Sequence, residues 1–171
     1  MVKRALFGIT ALFISVSCCV LLGARINTTR SCPVGLYWAV SVPVGKGAMV
    51  TFCPPQSSLF DEAKARGYIG PGFCPGGYGL LIKRVAAVAG DEIALSDSEV
   101  RVNGELLVNS RRLSVDPSGR AMPQTRLCSC RLEQGQLLLM SDSNPLSFDA
   151  RYFGPIDRAQ IRNVIRPVLT W

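Results

Sequence analysis

No histidine occurs in the 171 residues. That absence removes Ser-His-Asp catalysis, Cys-His catalysis and histidine-ligated zinc together. A hydrolase built on this chain must find its base in a carboxylate, a lysine or a terminal amine. Lysine is scarce as well: of 19 basic residues only Lys3, Lys46, Lys64 and Lys83 are lysines. A lysine placed among apolar neighbours therefore needs a reason. Charged residues are few, 18% against 48% hydrophobic, which argues against a disordered chain. Past residue 25 the excess of 16 basic over 12 acidic residues, a net of +4, is spread as scattered arginines, with no basic run and no patch interleaved with aromatics. This speaks against nucleic acid as a direct partner and suits a surface facing anionic lipid. The cysteine spacings match no zinc pattern, so no metal and no cofactor are expected.

What is present begins with MVKR and an uncharged run from Ala5 to Ala24. At about 1.5 Å per residue, such a run matches the roughly 30 Å of a bilayer's hydrocarbon core. No small-x-small cleavage site precedes Arg25, so the run reads as an uncleaved anchor rather than a signal peptide. Lys3 and Arg4 keep the N-terminus inside, sending the rest of the chain outward. The expected division is a cytoplasmic tip and transmembrane anchor over residues 1–25 and a catalytic domain over 26–171. Five cysteines fall in that second part, where disulfides are permitted. Cys53 and Cys74 flank a Pro/Gly-rich segment and are the first choice of pair.

The outward part reads as strands almost throughout. GLYWAVSVPVGKGAMVTF holds two β-rich runs split by Pro and Gly. QSSLFDEAKAR, residues 56–66, reads as a short helix, and GYIGPGFCPGGYG as a loop. LLIKRVAAVAG is a continuous apolar run, and EVRVNGELLV turns at Asn103-Gly104 as a hairpin. Residues 109–131 are polar and read as a surface excursion. LEQGQLLLMSD and QIRNVIRPVLTW close the list of strands. The expected fold is mainly β.

Three stretches carry chemistry. In LLIKRVAAVAG, Lys83 has apolar neighbours on both sides. Burial there lowers an amine's pKa from its usual ~10.4 and makes it a base able to serve a serine. In TTRSCPVGLYW, Pro33 holds Cys32 extended and stiffens the segment that presents Ser31. Thr29 offers a hydroxyl beside the Ser31 N–H for an oxyanion. Cys32 is a rival nucleophile with no base of its own. In SDSNPLSFDARYFGPI, Ser147 and Asp149 are placed to orient the lysine, and Arg151 to hold the aspartate. Each stretch alone fits an ordinary turn or strand.

Taken in order, Ser31-x-Pro33 after an anchor, Lys83-Arg84-Val85 with Gly90-Asp91, and Ser147-x-Asp149-x-Arg151-Tyr152-Phe153-Gly154 resemble the type I signal peptidase superfamily. These are Ser-Lys membrane proteases. Cys32 after the nucleophile, the S-x-P-x-G-L-Y form, FCPP at 52–55 and the loop around Cys74 resemble the conjugative-transfer peptidases of the TraF type. Ala150 departs from the serine common before the arginine. The resemblance implies a signal-peptidase-like β-barrel or sheet domain behind a single transmembrane helix in a bacterial inner membrane, with the catalytic domain in the periplasm. It implies a membrane-embedded pilin precursor as substrate, with the lipid bilayer and other conjugation-apparatus proteins as partners. Some such enzymes trim the pilin and join its new C-terminus to its own N-terminus. Two alternatives stay open: a general leader peptidase for secretory signal peptides, and an inert membrane subunit of a conjugation or secretion channel.

Overall fold

The computed structural model describes residues 10, 13–15, 17–123 and 128–171. Of the expected anchor, residues 5–24, positions 5–9, 11, 12 and 16 lie outside them. Among the described residues no helix is long and apolar enough to cross a membrane.

The chain is mainly β. Its strands are β1 (Ala24–Asn27), β2 (Gly35–Val40), β3 (Met49–Phe52), β4 (Pro71–Cys74), β5 (Leu81–Ala87), β6 (Glu92–Leu95), β7 (Val100–Val102), β8 (Glu105–Leu106), β9 (Cys128–Arg131), β10 (Gln136–Met140), β11 (Ile156–Asp157) and β12 (Ile161–Thr170). Among the described residues, two α-helices interrupt them, α1 (Ser58–Ala65) and α2 (Ala150–Phe153). A seven-stranded sheet runs β1-β2-β12-β3-β5-β10-β11, and a four-stranded sheet runs β8-β7-β6-β9. All their pairings are antiparallel.

Local chemistry explains the boundaries. The helix expected over 56–66 forms at 58–65, opened by Ser57, whose side chain accepts from the Phe60 N–H. The Asn103-Gly104 turn joins β7 to β8 with both residues at positive φ, 50° and 82°, as a two-residue hairpin of this kind requires. Gly35, in the S-x-P-x-G stretch, pairs with Thr170 of β12, just past the bulge between Pro167 and Leu169. A Cβ there would lie 2.2 Å from the Leu169 carbonyl oxygen, so only glycine fits.

The expected surface excursion at 109–131 is different. Its end, Cys128–Arg131, forms β9 and pairs with β6, while Ser110, Arg112, Asp116 and Met122 are buried. The buried polar groups find partners. Asp116 accepts from the Ser118 and Arg120 N–H groups, the Arg120 guanidinium and the Tyr68 hydroxyl. Polarity in the sequence marked solvent; the fold supplies hydrogen bonds in its place.

Two apolar bodies frame the site. One lies between the sheets and gathers Ala87, Ile93, Val100, Leu138 and Met140. The other is aromatic, with Phe60, Tyr78, Phe148 and Tyr152 packed under α1. Cys53 and Cys74 are joined by a disulfide and belong to this second body. The bond ties the end of β3 to β4, closing the Pro/Gly-rich segment.

Candidate active site

Strand alternation puts Lys83 inside. Along β5 the buried residues are Lys83, Val85 and Ala87, the inward face of a period-two pattern. Lys83 lies opposite Val50 of β3 and is 1% exposed. Burial is the main influence on its ammonium and pushes its pKa down to about 8, while the Asp149 carboxylate pulls the other way.

Ser31 lies on the short loop between β1 and β2. That loop is fixed from beneath by Asn27, 3% exposed at the end of β1. The Asn27 Nδ2 donates to the carbonyls of Cys32 and Pro33, each at 3.0 Å. Its Oδ1 accepts from the Thr29 N–H at 3.0 Å and the Thr29 hydroxyl at 2.9 Å. On another side, the Ser141 and Ser143 hydroxyls donate to the Ser31 carbonyl at 2.5 and 3.2 Å. The loop backbone is thus held by several elements, while the Ser31 side chain stays partly open to solvent.

The two residues are connected through a third. Lys83 Nζ donates to Ser147 Oγ at 2.7 Å, and Ser147 Oγ donates to Ser31 Oγ at 3.3 Å. Ser147 is buried on the turn before α2. Asp149 caps that helix, with its side chain accepting from the Arg151 N–H. Asp149 and Arg151 meet across the start of this helix. Both are fully buried, paired at 2.7 Å. Asp149 also accepts from the Ser141 N–H, so it supports the serine that holds the Ser31 carbonyl. Its action on Lys83 is through charge, while its hydrogen bonds go elsewhere. Arg151 further donates to the carbonyls of Asn109, Arg111, Pro145 and Ser147. One guanidinium therefore joins the 109–111 segment to the turn carrying Ser147.

The remaining residues of the third stretch are structural. Phe153 packs on Phe52, Phe60 and Phe148. The Tyr152 hydroxyl accepts from the Leu113 N–H. Gly154 closes α2 at φ 73°, a conformation suited to glycine. Asp91, after β5, accepts from the Val88 N–H and the Asn103 amide and shapes a turn.

Cys32 is buried against Tyr37, Met49 and Ile165. Burial pushes its thiol pKa up to about 11, so the thiolate a nucleophile needs is suppressed. Thr29 lies beside Ser31, but its single hydroxyl hydrogen is given to Asn27. Serving an oxyanion requires that hydroxyl to turn away from Asn27.

Two cavities meet at Ser31. One, of about 340 Å³, is lined by Ile26, Thr29, Thr51, Leu81 and Ile82. The other, of about 240 Å³, is lined by Leu113, Met122, Leu146, Ser147, Phe148 and Tyr152. Asn27, Ser141 and Ser143 went unread in the sequence. The Asn-x-Thr spacing of Asn27 and Thr29 is the signature of a side chain that bonds the backbone two residues on, and would have pointed to the first.

A plasmid transfer protein TraF from Escherichia coli is 58% identical over 151 residues, covering 88% of this chain and 85% of that protein. A conjugal transfer protein TraF from Agrobacterium tumefaciens is 34% identical over 176 residues, covering 99% and 97%. Among solved structures, a signal peptidase I from Enterococcus faecalis superposes with a TM-score of 0.41 at 18% identity, over 73% of this chain and 98% of that one. Residues 2–171 match the family described as signal peptidase, peptidase S26, and the chain belongs to that family.

Proposed function

We propose that this chain is a membrane-anchored Ser-Lys peptidase of a conjugation system, with Ser31 as nucleophile, Lys83 as base and a pilin precursor as substrate. The observation that carries the reading is the hydrogen-bonded line from Ser31 through Ser147 to a fully buried lysine with a depressed pKa. An arginine-like fixed charge would be useless in that place; a neutral amine is a base. Kinship with plasmid and conjugal transfer proteins supports the biological setting. The apolar run 5–24 supports anchoring in the bilayer that also holds the substrate, and the Cys53–Cys74 disulfide suits a periplasmic domain.

The chemistry runs as follows. Neutral Lys83 takes a proton from Ser147, which takes the proton of Ser31. The Ser31 oxygen attacks the scissile carbonyl, and the oxyanion is met by the Ser31 N–H and the turned Thr29 hydroxyl. The C–N bond then breaks, and the departing amine takes the proton back along the same line. Water or an incoming amine gives up its proton to that line, attacks the acyl carbonyl and frees Ser31. Water yields a trimmed linear pilin; the pilin's own N-terminal amine yields a ring.

The larger cavity suits the acyl side of the substrate. It lies between the edge strand β1 and the first residues of β5, which β10 leaves unpaired, so an extended peptide finds backbone partners. Thr51 in its wall has a buried hydroxyl without a hydrogen-bond partner, a group that a bound peptide would satisfy.

The test is coexpression of the precursor with the wild type or Ser31→Ala, followed by intact-mass analysis. Loss of processing in the variant is expected; unchanged processing overturns the serine mechanism. A product one water lighter than the trimmed linear chain marks cyclisation, and linear product alone marks hydrolysis.

A further inference from the structure

The smaller cavity at Ser31 has no role in the steps above. It is walled by aromatic rings: Tyr68 and Phe148 lie 5.6 Å apart between centroids, and Phe148 stacks on Tyr152 at 5.8 Å. The polar ends of the two tyrosines are occupied, Tyr68 by Asp116 and Tyr152 by the Leu113 N–H. The rings share the lining with Leu113, Met122 and Leu146, while Arg30, Asp116 and Asn144 add polar groups to it. Its 240 Å³ equals the bulk volume of about eight waters, which an apolar side chain would displace favourably.

The Ser-Lys reading fixes which part of a substrate reaches it. Ser147 lines this cavity and not the larger one; Thr29 lines the larger one and not this. The nitrogen that leaves must collect its proton from Ser147, so it faces this side, while the oxyanion faces Thr29. We propose that the cavity is the subsite for the amine side of the reaction. It takes an apolar side chain next to the scissile bond on the departing peptide and, by reversal of the same step, on an incoming amine. In the transfer step the amine nitrogen bonds to the acyl carbon, the carbon–Ser31 bond breaks, and the amine's proton returns to Ser31 through Ser147. No further reactant is needed. The inference rests on the peptidase reading and adds a specificity to it.

The experiment uses the full chain in detergent, with the precursor whose processing depends on Ser31 as acyl donor and glycinamide or leucinamide at equal concentration as acceptor. Mass spectrometry counts the captured acyl product. The wild type should capture leucinamide at least about tenfold better than glycinamide, the discrimination that an apolar pocket gives. Leu146→Trp, at an exposed rim position, and Met122→Trp, deeper in the wall, should each collapse that ratio towards one. Equal capture of both amides by the wild type, or a ratio that survives the folded Leu146→Trp protein, overturns the subsite while leaving the peptidase reading intact. Acyl capture that persists undiminished in Ser31→Ala overturns both.

Discussion

Lys83 and Ser147 form a buried hydrogen bond at 2.7 Å, and Ser31 meets the lysine through that serine. The lysine is thus set deep in the interior, with a hydroxyl as its link to the partly open Ser31. Burial does two things at once. It removes the water that would hold the ammonium charged, and it fixes the amine's direction.

The pH dependence follows from that burial. Folded Lys83 has its pKa lowered to about 8, so the neutral base predominates above that value and is lost below it. The rate constant kcat/KM should rise through a midpoint near 8, and a flat profile between about pH 6 and 10 would refute Lys83 as base. Lys83→Arg should be inactive throughout, because its guanidinium does not deprotonate. Stability carries the same sign. An unfolded lysine keeps its proton up to about 10.4, so between the folded and unfolded values the unfolded state binds more protons. Raising pH through that window should stabilise the wild type relative to Lys83→Met, as compared by denaturant melts.

Ser147→Ala separates a relay from a bystander. Removing the hydroxyl breaks the line between nucleophile and base, and kcat should fall by about 10²- to 10⁴-fold, the usual worth of a placed proton carrier. The ammonium also loses an acceptor, so its charged form is less favoured and any residual activity should titrate at lower pH than the wild type. Activity within a factor of a few of wild type, in a variant with normal melting, would show that Ser31 and Lys83 meet directly.

How far the sequence announces this arrangement depends on what kind of partner each residue has. Lys83 is legible because its neighbours in the chain are also its neighbours in space, the strand's own apolar residues. Ser147, Asp149 and Arg151 are legible as a block, though the short helix that brings Asp149 and Arg151 together is not, since four residues carry no periodicity. Asn27, Ser141 and Ser143 bond to main-chain carbonyls and N–H groups, and a carbonyl has no letter in the sequence. The same reason hid β9. Its pairing to β6 runs through the backbone, and although CSCR alternates, four residues without a large or β-branched apolar side chain are too little to mark a strand.

The disulfide should contribute chiefly by restricting the unfolded chain. Closing a loop with a sequence separation of 21 is worth about 3 kcal/mol in the chain-entropy view. The Cys53→Ala/Cys74→Ala double variant should lose about that much in urea unfolding, and reduction of the wild type should reproduce the loss. A variant as stable as the oxidised wild type would mean that the aromatic body under α1 holds the Pro/Gly-rich segment unaided.

Asn27 tests whether catalysis needs the nucleophile loop to be rigid. Its amide makes four hydrogen bonds, two given to the carbonyls of Cys32 and Pro33 and two received from Thr29. Asn27→Ala leaves buried backbone groups unpaired, which should cost about 1–3 kcal/mol of stability. It also frees Ser31 to wander from its aim. The expected kinetic signature is a fall of at least about tenfold in kcat, larger than any change in KM, since the residue holds the Ser31 loop from beneath as well as lining the larger cavity. Asn27→Asp keeps the acceptor for Thr29 but loses both donors, so it should be nearly as slow as the alanine variant if holding the Cys32 and Pro33 carbonyls is what matters. Recovery of wild-type kcat in Asn27→Asp would assign the role to the Thr29 side of the loop instead.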